Sequence, residues 1–455
     1  MTRNSILIAI GASCLLATLA LVPPPTRQPA PNSDADRFWP QWRGPDATGV
    51  APSGDPPLRW SESRNVRWKV EIPGKGSASP IVWGDRIFVL TAIPESNQTG
   101  TESAVAAGQR RRRRGPPNVA PTSVEQFTVL AISRDDGAIL WQRVAREETP
   151  HEGRQPNNTW ASSSAVTDGE HVYAYFGSRG LYAYDMQGSL EWEKDLGEMR
   201  IRLGFGEGSS PALQGDKIVI NWDHEGQSFI VALDKKTGEE LWRTDRDEIT
   251  SWSTPLIVAV GGKYQVVTSA TRRVRSYDLE TGTLIWESAG LTLNAIPSPV
   301  AADGMVFVTS GFRGNILRAI RLADARADIS DSGAIAWEYD RDTPYVPSPL
   351  LFDNNLYVIK SNSNILSSLD AKTGEKHFGP QRLERMGGIF SSPVGAAGRV
   401  YISDRDGNTV VIDNGPELRV LARNSLDDGF DASAAIVDKE IYLRGHRYLY
   451  RISEQ

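Results

Sequence analysis

From residue 60 onward one pattern recurs at intervals of about 44 residues. It runs Ser-Pro or a similar pair, a short strand, an Asp/Gly turn, an Ile/Val/Tyr-rich strand, a third strand, Asp-x-x-Thr-Gly and then Trp. Repetition at such a period constrains the fold more than any local preference, because one unit of this size cannot bury its own apolar face and must stack on its neighbours. The clearest unit starts at Ser210-Pro211, passes through Gly215-Asp216-Lys217-Ile218-Val219-Ile220 and Ile230-Val231-Ala232-Leu233-Asp234, and closes with Thr237-Gly238-Glu239-Glu240-Leu241-Trp242. It reads as four strands, bounded by Gly, Asp and Asn, with Thr-Gly supplying the positive-φ residue of a tight hairpin. Comparable starts lie at Ser79-Pro80, Ser164-Ala165, Thr254-Pro255, Ser298-Pro299, Ser348-Pro349, Ser392-Pro393 and Ser433-Ala434, making eight. Closing side chains follow at Trp141, Trp192, Trp242, Trp286, Trp337, Phe378 and Leu421. The expected fold is all-β, an eight-bladed β-propeller of four-stranded antiparallel blades.

The two chain ends complete this count. The eighth start runs out at Tyr448-Leu449-Tyr450-Arg451-Ile452, a third strand without a fourth, whereas Val66-Arg67-Trp68-Lys69-Val70 is a closing strand without its blade. The N-terminal strand is therefore expected to close the last blade, hiding both sheet edges and sealing the ring.

Ahead of the repeats, Arg3 precedes an apolar run from Ile6 to Val22 that breaks at Pro23-Pro24-Pro25. Residues 1–22 read as a signal sequence, cleaved after export, or as an uncleaved N-terminal anchor that would be the chain's one membrane contact. Residues 23–59 form a Pro-rich lead-in, and 60–455 the propeller, interrupted in its first blade by a low-complexity insertion over 94–122 that contains Arg110 through Arg114. Export implies a periplasmic or cell-envelope location. The single cysteine, Cys14, lies within the apolar run, so the folded part forms no internal disulfide. Five histidines without close spacing give no metal site, and a net charge of -6 argues against nucleic acid as a partner.

The run Ala232-Leu233-Asp234-Lys235-Lys236-Thr237-Gly238-Glu239-Glu240-Leu241-Trp242 resembles the tryptophan-docking repeat of pyrroloquinoline-quinone (PQQ) propellers. It recurs with losses at Asp278 to Trp286, at Asp370 to Phe378 and as Asp185-Met186-Gln187-Gly188 before Trp192. Phe38-Trp39-Pro40-Gln41-Trp42-Arg43-Gly44-Pro45 is similar to the lead-in of exported bacterial proteins of this kind. The docking tryptophans hold blades together, since each wedges against the next blade and its burial is worth roughly 2–3 kcal/mol. The resemblance implies one of two roles. Quinoprotein dehydrogenases hold PQQ above the channel between a Trp and adjacent disulfide-bonded cysteines, beside calcium, and this chain lacks those cysteines. BamB-like propellers bind protein partners at outer-membrane assembly. The second role, a non-catalytic binding or scaffold protein of the envelope, monomeric and without cofactor, is the expectation; a PQQ-dependent oxidoreductase of atypical type, with calcium, is the alternative.

In a four-stranded blade the inter-blade links and the turns between second and third strands emerge on one face. The links carry Asn157-Asn158-Thr159-Trp160, Arg202 through Glu207, Ser251-Trp252, Asn294, Tyr345 and Asp427 through Asp431; the turns carry Arg179, Arg272, Arg313, Arg405 and Arg447. Trp160 and Trp252 sit just before inner strands, where they face the funnel or pack in the core. The five arginines make either a ring that holds an anionic small molecule through bidentate hydrogen bonds, or solvated hairpin residues paired with local Asp. Asn158, Glu207 and Asn294 complete the candidate ligand-binding set on this rim, with Asn157, Asp428 and Asp431 as further oxygens suited to calcium. No residue is singled out as catalytic.

Overall fold

The computed structural model describes Met1, residues 36–95 and residues 121–454. The apolar run from Ile6 to Val22 and the Arg110 to Arg114 segment lie outside the described residues. Within them the chain forms eight antiparallel sheets, the blades of an eight-bladed β-propeller. Blade 3 shows the plan: Ala212–Gln214, Lys217–Trp222, Ser228–Asp234 and Glu240–Arg246 run from the channel outward. Blade 8 is made of Ala435–Val437, Glu440–Arg444 and Tyr448–Ser453, closed by Val66–Glu71 as its outermost strand. The ring thus closes where the complementary ends required it to.

Burial follows from this layering. Middle strands are sandwiched between neighbouring blades, so Lys217–Trp222 is buried at every position, whereas outer strands such as Glu240–Arg246 alternate toward water. The apolar clusters lie between blades: Phe88, Trp141, Tyr182 and Tyr184 fill the space between blades 1 and 2, and Tyr173, Ile220, Val231 and Trp252 that between 2 and 3.

The recurrent Asp-x-x-Thr-Gly motif has a direct physical reading. Asp234 Oδ1 accepts hydrogen bonds from the backbone N–H of Lys236 and Thr237, and Gly238 turns with φ +70°. The glycine is also the seat of the preceding blade's tryptophan. Trp192 Nε1 donates to Lys235 O at 3.0 Å, and a Cβ at position 238 would lie 2.6 Å from the indole. Trp141 on Gly188, Trp242 on Gly282, Trp337 on Gly374 and Trp68 on Gly137 repeat the arrangement. Trp286 departs from it: its Nε1 donates to Gln265, and the strand Ala327–Asp328 of blade 5 is laid parallel along its edge. Gly238→Ala is expected to cost about 1–3 kcal/mol from strain and overlap. Gly215, also at positive φ (+62°) but with open space around it, isolates the overlap, so Gly215→Ala should lower the melting temperature less. Equal losses in the two variants would deny the docking role of the indole.

The eight repeat starts form a closed hydrogen-bonded ring around the channel. The N–H of Ser79 donates to Ser164 Oγ, Ser164 to Ser210, Ser210 to Thr254, Thr254 to Ser298, Ser298 to Ser348, Ser348 to Ser392, Ser392 to Ser433, and Ser433 back to Ser79, all at 2.9–3.0 Å. Each hydroxyl satisfies a buried amide of the preceding blade, which explains the Ser/Thr at that position.

The described part of the lead-in falls in the same compact unit as the blades. Trp39 pairs with Val82 at the far end of the inner strand of blade 1, Pro40 O accepts from Thr167 N of blade 2, and Val50–Ala51 runs parallel to the inner strand of blade 7. Between them the buried Arg43 guanidinium donates to the carbonyls of Pro349, Pro393 and Thr48. No carboxylate accompanies it among the described residues, and burial lowers its pKa to about 9. Residues 39–51 therefore cross the channel, a placement that the Pro-rich composition of this segment did not disclose.

Candidate functional site

A cavity of about 430 Å³ opens at the centre of the face that carries the inter-blade links. Its base is set by the hydroxyl ring and by Trp42 of the lead-in. Its walls are the links themselves, held just ahead of the inner strands, and they bring Phe205, Trp252, Tyr345 and Phe390 toward one space, with Phe312 from a turn of blade 5. Phe205 and Trp252 stack at 6.3 Å, and Phe312 and Tyr345 at 4.8 Å. Trp252 is fixed by donating its Nε1 to Gly206 O.

Two carboxylates line the cavity, and both are engaged. Glu207 accepts from Ser178 N and Oγ at 2.7 and 2.6 Å, with Arg179 behind it at 3.7 Å; burial pushes its carboxyl pKa up against that opposing charge. Asp431 pairs with Arg405 at 2.7 Å and with His446 at 3.0 Å, and its hydrogen bond raises the histidine's pKa. Asn158 is likewise occupied, donating to the carbonyls of Phe205 and Glu207 while its oxygen accepts from Ser162. Asn157 and Gln155, in contrast, stand exposed at the mouth.

The rim residues named from sequence thus separate. Trp252, Asn158 and Glu207 line the cavity; Trp160 does not, and instead packs against the core between blades 1 and 2 with Arg154 over its ring. Asn294 is buried beside Tyr345, whose hydroxyl accepts from its amide at 3.3 Å. None of the five turn arginines is among the lining residues. Arg179 is buried between Glu148 and Phe127, Arg405 pairs with Asp431, and Arg447 with Asp427. Arg272 donates to Asp247 O, and Arg313 lies over the Phe312 ring. The arrangement is that of hairpin arginines with local partners, not a convergent ring. Asp428 is taken up by the backbone N–H groups of Gly429, Arg447 and Tyr448. On the opposite face Asp168, Glu170 and His171 approach one another, but Asp168 is held by Lys235 at 2.8 Å.

Sequence reasoning missed Trp42, Phe312 and Phe390 as cavity residues. The only available signal was position: Phe312 adjoins a turn arginine and Phe390 stands two residues before a ring serine.

PQQ is a polycarboxylate, and the lining offers it no Lys or Arg among the described residues and two carboxylates of like charge. The residues present do not fit that group.

Residues 59–204 and 226–454 match the family model described as outer membrane protein assembly factor BamB. The protein of that name from Yersinia pestis is 26% identical over 327 residues, covering 68% of this chain and 75% of the relative. The one from Francisella salina is 26% identical over 235 residues, covering 45% and 43%. Among solved structures, BamB from Moraxella catarrhalis superposes with a TM-score of 0.57 at 13% identity, over 85% of this chain and 99% of that one. Quinohemoprotein alcohol dehydrogenase from Comamonas testosteroni gives 0.61 at 11% identity, over 93% and 81%, and at these identities both structures show a likeness of fold alone. With both stretches of the repeat region matched, the chain belongs to the PQQ-like propeller family of outer membrane protein assembly factor BamB.

Proposed function

We propose that this chain is an exported, non-catalytic binding or scaffold propeller of the bacterial envelope that engages a protein partner of outer-membrane protein assembly through its link-bearing face. The observation that carries the reading is family membership together with a central cavity whose two carboxylates, Glu207 held by Ser178 and Asp431 paired with Arg405, are engaged in structural contacts. Two assays test it. Affinity capture from envelope extracts should recover a barrel-assembly component with the native protein and lose it when Arg313, Asp427 and Arg447 are charge-reversed together. Recovery unchanged by the reversal, or no recovery at all, speaks against this face. Protein mixed with PQQ and calcium should show neither quinone absorbance nor dye-linked alcohol oxidation; turnover would restore the oxidoreductase alternative.

A further inference from the structure

Resting on the reading that the link-bearing face is the binding face, we propose that the cavity at its centre is a binding site for the end of a neutral saccharide. Five features converge on that chemistry. The walls carry aromatic rings, Phe205 stacked with Trp252 and Phe312 with Tyr345, joined by Trp42 and Phe390. Aromatic rings stack on the C–H faces of pyranose rings, burying apolar area without requiring charge.

Polar groups interleave with them. Gln155 and Asn157 stand at the mouth, and Asn362, whose oxygen accepts from Val346 N, keeps its amide N–H groups at the wall. Planar amides both donate and accept, as sugar hydroxyls do. At the base, six ring residues (Ser79, Ser164, Ser210, Thr254, Ser392 and Ser433) line the space. Each uses its oxygen to accept a neighbouring N–H, which leaves the hydroxyl proton as the donor available to a ligand oxygen.

Charge then narrows the class. No Lys or Arg lines the cavity among the described residues, and its two carboxylates are already engaged by Arg179, Arg405 and His446, so neither a polyanion nor a cation finds an unengaged counter-charge there. Shape narrows it further. Trp42 and the buried Arg43 bridge close the far side, making a well entered from one end, of a volume within the roughly 300–1,000 Å³ range of small-ligand sites. The backbone N–H groups of the ring are taken by the hydroxyls, so the base offers no row of main-chain partners to an extended peptide. A neutral molecule rich in hydroxyls, with apolar faces and a free end, satisfies all five.

The test uses the full chain, read by intrinsic tryptophan fluorescence and calorimetry, with cellotetraose, maltotetraose, xylotetraose and chitotetraose as probes. Tetragalacturonate and a capped phenylalanine-containing hexapeptide are the comparators. At least one neutral saccharide is expected to saturate the signal, and Gln155→Ala with Asn157→Ala, both exposed and without a packing role, to weaken it about tenfold through lost hydrogen bonds. Tyr345→Ala should weaken it as well. Absence of binding by all four at millimolar concentration, tighter binding of either comparator, or unchanged affinity in the double variant overturns the proposal. If saccharide binding fails while the partner is still captured, this inference alone falls; if both fail, so does the reading of the face.

Discussion

Deleting Val66–Glu71 is expected to abolish the single cooperative unfolding transition of the propeller. That strand supplies the outer edge of blade 8, pairing from Val66 with Ile452 to Glu71 with Tyr448, and its Trp68 docks on Gly137 of blade 1. Without it the third strand of blade 8 becomes an open edge and the junction between the last and first blades loses its indole, so the ring opens. Circular dichroism on heating should show a broad, early loss of signal in the deletion. Trp68→Ala provides the graded comparison: it keeps the strand but removes the wedge, with an expected loss of about 3–5 kcal/mol and a transition that stays cooperative. An unchanged melting curve for the deletion would show that the blades hold without closure.

Arg246→Ala is expected to cost about 3–5 kcal/mol, the usual consequence of leaving a buried charge without its partner. The side chains of Arg246 and Asp223 are both fully buried, joined at 2.8 and 3.0 Å, and the guanidinium also donates to Thr268 and to the Tyr277 hydroxyl of blade 4. Asp223 in turn accepts from Ser251 and Asn221. The pair fastens blade 3 to blade 4, and the opposing carboxylate holds the arginine's pKa above its usual value. In the variant Asp223 is left without its counter-charge in a low-dielectric site, which is the source of the cost. Chemical denaturation at neutral pH measures the loss. A loss of under about 1 kcal/mol would mean that water reaches the site.

The legible part of this molecule is the part written once per blade. Short-range patterns, the Asp-x-x-Thr-Gly turns, the closing tryptophans and the Ser/Thr starts, repeat because each blade solves the same local problem, and repetition is visible without coordinates. Blade number and closure by Val66–Glu71 followed, since complementary fragments at the two ends admit few other arrangements. What those residues do to each other was not legible. The Ser/Thr starts marked the repeats, yet only ring closure places each hydroxyl on the amide of the blade before it. Residues 39–51 read as part of a Pro-rich lead-in, because nothing local indicates that Arg43 reaches carbonyls more than 300 positions away. The rim arginines share a position in five of the hairpins, which suggested a common target; in space each meets a nearer carboxylate, carbonyl or ring, since at short range a local partner outcompetes a shared one. Trp252 stands two residues before its ring residue Thr254, where Ser162 and Phe390 also face the cavity, whereas Trp160 stands four before Ser164 and packs into the core between blades 1 and 2. Sequence by itself determined the architecture, a property of repeated local chemistry. The tertiary structure decided the site, a property of single residues brought together from different blades.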